Sequence, residues 1–188
     1  MSDYQFHPAT PDRWPHLAEL FGERGACGGC WCMAWRKSSV EFNRDKGAGN
    51  RRSLKALLKT SPPPGILAYS DGKAVGWCAV APRQQYVFLA KSRVLRPLDD
   101  APVWSVSCFF VEKKFRRKGL TVELLRAATQ FVKEQGGSIV EGYPVMPSKG
   151  KMPDIFVWTG LLSAFLKAGF QEMPRWSENR PIVRYTIS

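Results

Sequence analysis

The apolar run Val103 to Val111 leads into a basic turn, Lys113–Lys118, and helical periodicity begins directly after the next residue, Gly119. The β-branched and aromatic content of the run predicts a central strand buried on both faces. Leu120, Leu124, Ala127, Ala128 and Phe131 then share one helical face until Gly136-Gly137 ends it. Ser138–Tyr143, closed by Pro144, reads as the next strand. A strand–helix–strand run of this kind requires a parallel pair joined by a right-handed crossover, and so excludes an all-helical or purely antiparallel fold.

The remaining segments fill in around that unit. Thr10-Pro11 predicts an N-cap with proline in the first turn, and Trp14, Leu17, Ala18 and Phe21 recur at helical spacing. The glycine-rich stretch Gly25–Cys32 reads as a shaped loop, and Leu54, Leu57 and Leu58 as a helix stopped by Pro62-Pro63-Pro64. Ile66–Tyr69 and Ala74–Val80 flank Asp71-Gly72, a strong hairpin signal. Arg83–Leu98 has no clear period. A proline- and lysine-bearing loop runs to about Asp154. Trp158, Leu161, Leu162, Phe165 and Leu166 predict a helix capped by Gly169, and Ile182–Ile187 alternates as a final strand. The expected fold is α/β, of the α+β type. It is a single domain over residues 1–188 with a mixed central sheet flanked by helices, in which residues 25–50 form a loop or insertion.

The chain has 188 residues, of which 44% are hydrophobic and 23% charged, enough to fold around its own core without disulfides or metal. A formal charge of +12 favours phosphate-bearing or acidic partners. The N-terminus has no basic patch followed by an apolar run, and no segment nears the roughly 20 apolar residues of a membrane span. A cytoplasmic protein with no membrane partner and with reduced cysteines is expected; five cysteines cannot all pair.

The strand–turn–helix junction carries the chemistry. The first N–H groups of a helix lack internal acceptors and lie at its positive end, so an anion placed there is bound by the main chain. Gly119 permits close approach, and Arg116, Arg117 and Lys118 add charge. A solvated basic turn is the bland alternative. The run is neither a Walker loop nor a dinucleotide fingerprint.

Arg116-Arg117-Lys118-Gly119-Leu120, after a strand ending in Val111, resembles the pyrophosphate motif of the GNAT superfamily of N-acetyltransferases. The last motif position is Thr121 where glycine or alanine is usual. Ser163–Phe170 resembles the family's helix ending in Gly-Phe. The resemblance implies a sheet splayed between two parallel strands. Acetyl-CoA would lie between them as co-substrate, held by Phe110, Val111, Arg116, Arg117, Lys118, Gly119, Leu120 and Thr121, with backbone N–H groups near Phe110 and Val111 as oxyanion donors. A primary amine of a small molecule or peptide would then attack the thioester directly. The family's usual tyrosine, four residues before the glycine of Gly-Phe, is Phe165 here, which cannot donate a proton.

Glu141 and Tyr143, two apart on one predicted strand, share a face and are the candidate acid–base pair; a surface carboxylate and a core aromatic are the plain alternative. Cys27-x-x-Cys30-x-Cys32 lacks a fourth ligand nearby, so no metal is expected. Trp31, Cys32, Trp35 and Arg36 either wall an acceptor site or pack a corner. Two further readings remain. One is a basic nucleic-acid-binding protein, disfavoured by aromatics at core periodicity. The other is a sensor of the same fold that binds acyl-CoA without turnover. The oligomeric state, with a homodimer among the options, is left open.

Overall fold

The computed structural model describes residues 4–146, 153 and 156–188, so most of the loop expected before Asp154 lies outside the described residues. One mixed sheet contains β1 (Gln5–Pro8), β2 (Gly65–Ser70), β3 (Lys73–Pro82), β4 (Trp104–Val111), β5 (Ile139–Gly142), β6 (Gln171–Glu172) and β7 (Val183–Thr186). Their order is β1-β2-β3-β4-β5-β7-β6. The helices are α1 (Trp14–Phe21), α2 (Ser39–Arg44), α3 (Ala48–Leu57), α4 (Val87–Lys91), α5 (Leu120–Glu134) and α6 (Leu162–Lys167).

The hairpin turns through Asp71 and Gly72, both at positive φ (50° and 75°), which matches the right-handed twist of β2 and β3. β4 and β5 are the parallel pair, joined through α5. Their ladder is short: Trp104, Ser105 and Val106 face Val140, Glu141 and Gly142, and the strands then part. The splayed sheet expected between Val103–Val111 and Ser138–Tyr143 is present.

Apolar side chains fill both faces. α5 and α6 bury Leu120, Leu124, Ala128, Phe131 and Phe165 against one face. On the other, α1, α3 and the cysteine-bearing segment pack Trp14, Phe21, Trp31 and Leu54 over Leu67 and Trp77. A third cluster, with Trp35, Tyr86, Leu95 and Tyr143, closes the end where β4 and β5 part.

Several elements differ from the sequence expectation. Residues 25–50 are not wholly loop. They contain α2, whose start is a capping box: Ser38 N–H donates to Glu41 Oε2 at 3.0 Å while Glu41 N–H donates to Ser38 Oγ at 3.3 Å. The unassigned Arg83–Leu98 stretch holds a short turn and α4. The last helix begins at Leu162, because Trp158 and Leu161 belong to the preceding turn and to a bridge with Val145. β1 and β6 are short edge strands held by backbone pairing to β2 and β7, without an alternating pattern of their own.

Gly142 ends β5 where the Phe165 ring crosses it, and a Cβ at that position would overlap the ring. Gly142→Ala is therefore expected to cost about 1–3 kcal/mol through overpacking. In urea denaturation, adding Phe165→Leu to Gly142→Ala should cost less than Phe165→Leu alone; strict additivity would show that the ring is not the obstacle.

Candidate functional site

α5 starts at Gly119, whose left-handed backbone (φ 84°) turns the chain from the basic loop into the helix. The Gly119 carbonyl accepts the N–H groups of Val122 (2.9 Å) and Glu123 (3.3 Å). No side chain caps this end, and among the described residues no protein group accepts from the N–H of Leu120 or Thr121. A Cβ on Gly119 would meet nothing within 4 Å, so the amides face open space. Arg116 folds back to donate through Nε to the Val111 carbonyl at 2.9 Å, fixing the loop to the strand end. Such a helix start is suited to an anion.

That space is one end of a cleft of about 1060 Å³. Of the residues expected to hold the coenzyme, Phe110, Val111, Arg116, Arg117, Gly119, Leu120 and Thr121 line it. Lys118 is exposed and lies outside the lining. Along β4 the direction of each amide decides its availability. Glu112 N–H donates to Val75 of β3 (2.9 Å), and Phe109 N–H points the other way, to the Trp158 carbonyl (2.7 Å). Alternation then turns Phe110 N–H into the β3 ladder and Val111 N–H toward the splay. The expectation of two free donors is corrected to one, Val111. Phe110 contributes its ring to the wall.

The opposite end of the cleft is lined by Cys30, Cys32, Trp35, Ser107 and Cys108. Trp31 and Cys32 are consecutive left-handed residues (φ 45° and 55°), so the chain reverses and sends their side chains apart. Trp31 packs on Trp14 and Phe21, with ring centres 5.8 and 5.7 Å away. Arg36 lies over Tyr86 and donates to Gln85 Oε1 at 3.0 Å. Neither lines the cleft. Of the four residues expected to form an acceptor wall, the cleft holds Cys32 and Trp35; Trp35 is stacked on Phe88 at 4.8 Å. Buried Asn50 anchors the segment by donating to the Gly29 carbonyl at 3.2 Å.

The thiols differ electrically. Burial, and the neighbouring Cys32, push the Cys30 thiol up to about 11. Cys108 is raised well above an ordinary thiol because it serves as hydrogen-bond donor to Cys32, with burial adding to this. Cys32 is lowered, chiefly by that S–H of Cys108, with help from the Trp77 indole N–H 3.3 Å from its sulfur and the charge of Arg36, against burial. Among the described residues no group of three or more His, Cys, Asp or Glu side chains could hold a metal ion.

Glu141 and Tyr143 do share a face, with Tyr143 OH donating to Glu141 Oε1 at 2.6 Å. They lie away from the cleft, however, in a buried network. Arg83 donates to Oε1 (2.9 Å) and Arg184 to Oε2 (2.7 Å), and Arg184 makes two bonds to Asp99 (2.6 and 3.0 Å). Tyr143 OH is also 2.8 Å from Ser105 Oγ. Both oxygens of this carboxylate are tied to guanidinium groups, and the side chain is buried. The acid–base role is corrected to a structural one: Ser105, Glu141 and Arg184 form one cross-strand row over β4, β5 and β7. Phe165 is fully buried among Phe109 and Phe170.

Sequence reasoning missed Cys30, Cys108 and Trp158 at the cleft and Arg83 and Arg184 in the network. Cys108 was legible in part, since alternation puts it on the face of Phe110. Arg83 gave no signal, lying in a stretch without periodicity.

The model of the acetyltransferase (GNAT) family matches residues 30–144, and the chain belongs to that family. Solved structures with the same fold include a Thermoplasma acidophilum PaiA N-acetyltransferase in complex with coenzyme A. It is 13% identical, with a TM-score of 0.54, covering 98% of this chain and 99% of that one. An agmatine N-acetyltransferase is 12% identical with a TM-score of 0.60, covering 98% and 100%. A putative acetyltransferase of Salmonella typhimurium with acetyl-CoA is 11% identical with a TM-score of 0.51, covering 98% and 94%. No curated protein matches the chain. Among the described residues, no helix is long and apolar enough to cross a membrane.

Removing one member of a buried ionic network strands the others. Glu141→Gln should destabilise the fold by on the order of 3 kcal/mol in urea, and Tyr143→Phe by about 1 kcal/mol; the reverse order would contradict the network. Asp99 is held below the usual carboxylate range chiefly by the Arg184 hydrogen bonds. Its contribution is present above the unfolded value near 3.9 and lost as pH falls through the lowered one. Asp99→Asn should therefore lose less stability than the parent between neutral pH and that acid limb. Parallel acid curves would exclude the coupling.

Proposed function

We propose that the protein is an N-acetyltransferase that moves the acetyl group of acetyl-CoA to a primary amine of a small molecule or peptide, the amine attacking the thioester directly. The observation that carries this reading is the uncapped start of α5 at Gly119, which opens onto a cleft that reaches the parted edge of β4. Membership of the GNAT family and the coenzyme-bound relatives support it.

In this reading the Leu120 and Thr121 amides bind the pyrophosphate, with Arg116 and Arg117 beside them. The Val111 N–H, facing the splay, holds the pantetheine arm that leads to the thioester. Phe21, Trp35, Phe42 and Phe110 wall the far end. Such a surface suits an amine carried on an apolar or aromatic body, and by desolvation it favours the neutral, nucleophilic amine over the ammonium ion. Cys108 and Cys30 lie in the same cleft, but both thiols are raised above an ordinary one and are poor acids, so the departing thiolate takes its proton from solvent. A second reading, an acyl-CoA sensor without turnover, draws on Phe165, a buried phenyl ring at the position where the family resemblance implies a tyrosine.

Saturating acetyl-CoA at about 100 times its Kd should stabilise the protein by about 2.7 kcal/mol in a thermal melt. Gly119→Glu should abolish that gain by putting a carboxylate among the amides. Gly119→Ala, which shares the backbone strain but not the charge, should keep most of it. Undiminished stabilisation of the glutamate variant would exclude this placement of the pyrophosphate. Across a panel of amines, kcat/KM should favour aryl-alkyl amines over polyamines. Coenzyme binding with no turnover on any amine would favour the sensor.

A further inference from the structure

Direct attack by an amine makes no chemical use of the sulfur of Cys32. Cys32 and Cys108 reach the same end of the cleft from separate elements, a left-handed turn and the central strand, and Cys30 lies beside them. The Cys32 sulfur accepts the N–H of fully buried Trp77 at 3.3 Å, and the neighbouring Cys108 thiol helps hold its pKa below that of an ordinary thiol. An N–H donor aimed at the sulfur favours its thiolate, the nucleophilic form. The other two thiols stay protonated.

The backbone that presents Cys32 is strained. Non-glycine residues adopt the left-handed region only at a steric cost, and here two occur in succession, Trp31 and Cys32. Strain of this kind persists only where the surroundings impose it; the Trp31 ring, packed on Trp14 and Phe21, imposes it here. Relaxing the turn would withdraw the sulfur from the Trp77 N–H.

Position completes the case. Cys108 precedes Val111 by three residues, about 10 Å along an extended strand. A pantetheine arm that leaves the α5 amides and follows the β4 edge therefore brings its thioester toward the Cys108 and Cys32 sulfurs.

We propose that Cys32 is an S-acetylation site: its sulfur takes the acetyl group from acetyl-CoA when no amine is bound, and returns it to free coenzyme A. The proposal rests on the acetyl-CoA reading above. The Cys32 thiol gives up its proton to solvent and its sulfur attacks the carbonyl carbon. The new carbon–sulfur bond forms, the bond to the coenzyme sulfur breaks, and the electron pair leaves with that sulfur, which takes a proton from water. One thioester replaces another, so the step needs no oxidant or energy source and runs in both directions. The reverse step regenerates acetyl-CoA, the donor for a later amine.

The test uses the whole chain with acetyl-CoA and no amine, with coenzyme binding followed in parallel by thermal melt. Intact-mass spectra should show one added acetyl group per chain, located on Cys32 by fragmentation and removed by neutral hydroxylamine or by excess coenzyme A. The protein should also exchange isotopically labelled free coenzyme A into acetyl-CoA. Cys32→Ser and Cys32→Ala should lose both signals, with exchange falling to the uncatalysed rate, and Cys27→Ser should keep them. A chain that is stabilised by acetyl-CoA yet gains no acetyl group and catalyses no exchange would overturn the proposal and leave the acetyl-CoA reading standing. An acetyl group that persists in both Cys32 variants would overturn it too. Absence of any stabilisation by acetyl-CoA would overturn both.

Discussion

Backbone amides without a partner are costly in a folded protein, and this one concentrates them along a single cleft. β4 and β5 stay paired for three residues and then separate. The Val111 N–H consequently faces a gap, and α5 begins a few residues later with its first amides turned into the same space. Each arrangement alone is an unsatisfied helix end or strand edge. Together they line a path with donors at one end and thiols and aromatic rings at the other, and a ligand with an anionic head and a long amide-bearing arm satisfies both.

Holding two parallel strands apart requires that something else hold them together. The row Ser105, Glu141 and Arg184 runs across β4, β5 and β7 just where their pairing is intact, and Arg83 fastens it to the turn that follows β3. Charged groups at such a place add little net stability compared with a well-packed apolar core. Their geometry is directional, however, and fixes the register at the point of divergence. Beyond it Phe165 crosses Gly142, and the Trp158 carbonyl takes the Phe109 amide, so that the gap has a defined floor.

Much of the fold was legible because its period was strong. The α5 face from Leu120 to Phe131, the Asp71-Gly72 turn and the buried run ending at Val111 each follow from local chemistry. β1 and β6 did not, since edge strands of four and two residues are set by their neighbours. α2 carried a readable Ser-x-x-Glu cap that the surrounding glycines obscured. At the site, Gly119 was legible because strand, glycine and helix are contiguous in sequence. Glu141 and Tyr143 were correctly joined and wrongly employed: their partners Arg83 and Arg184 lie 58 and 43 residues from Glu141, a separation no local pattern reports. Trp31 and Arg36 were misdirected for a backbone reason, the two left-handed residues that turn Trp31 away from Cys32.

The open helix end is the proposed diphosphate site, and the amides themselves can report it. Titrating nitrogen-15-labelled protein with coenzyme A while following backbone amide resonances tests the account most directly. The largest shifts are expected at Gly119, Leu120 and Thr121, with a second group at Val111. Saturable binding that leaves those four resonances unmoved would contradict it.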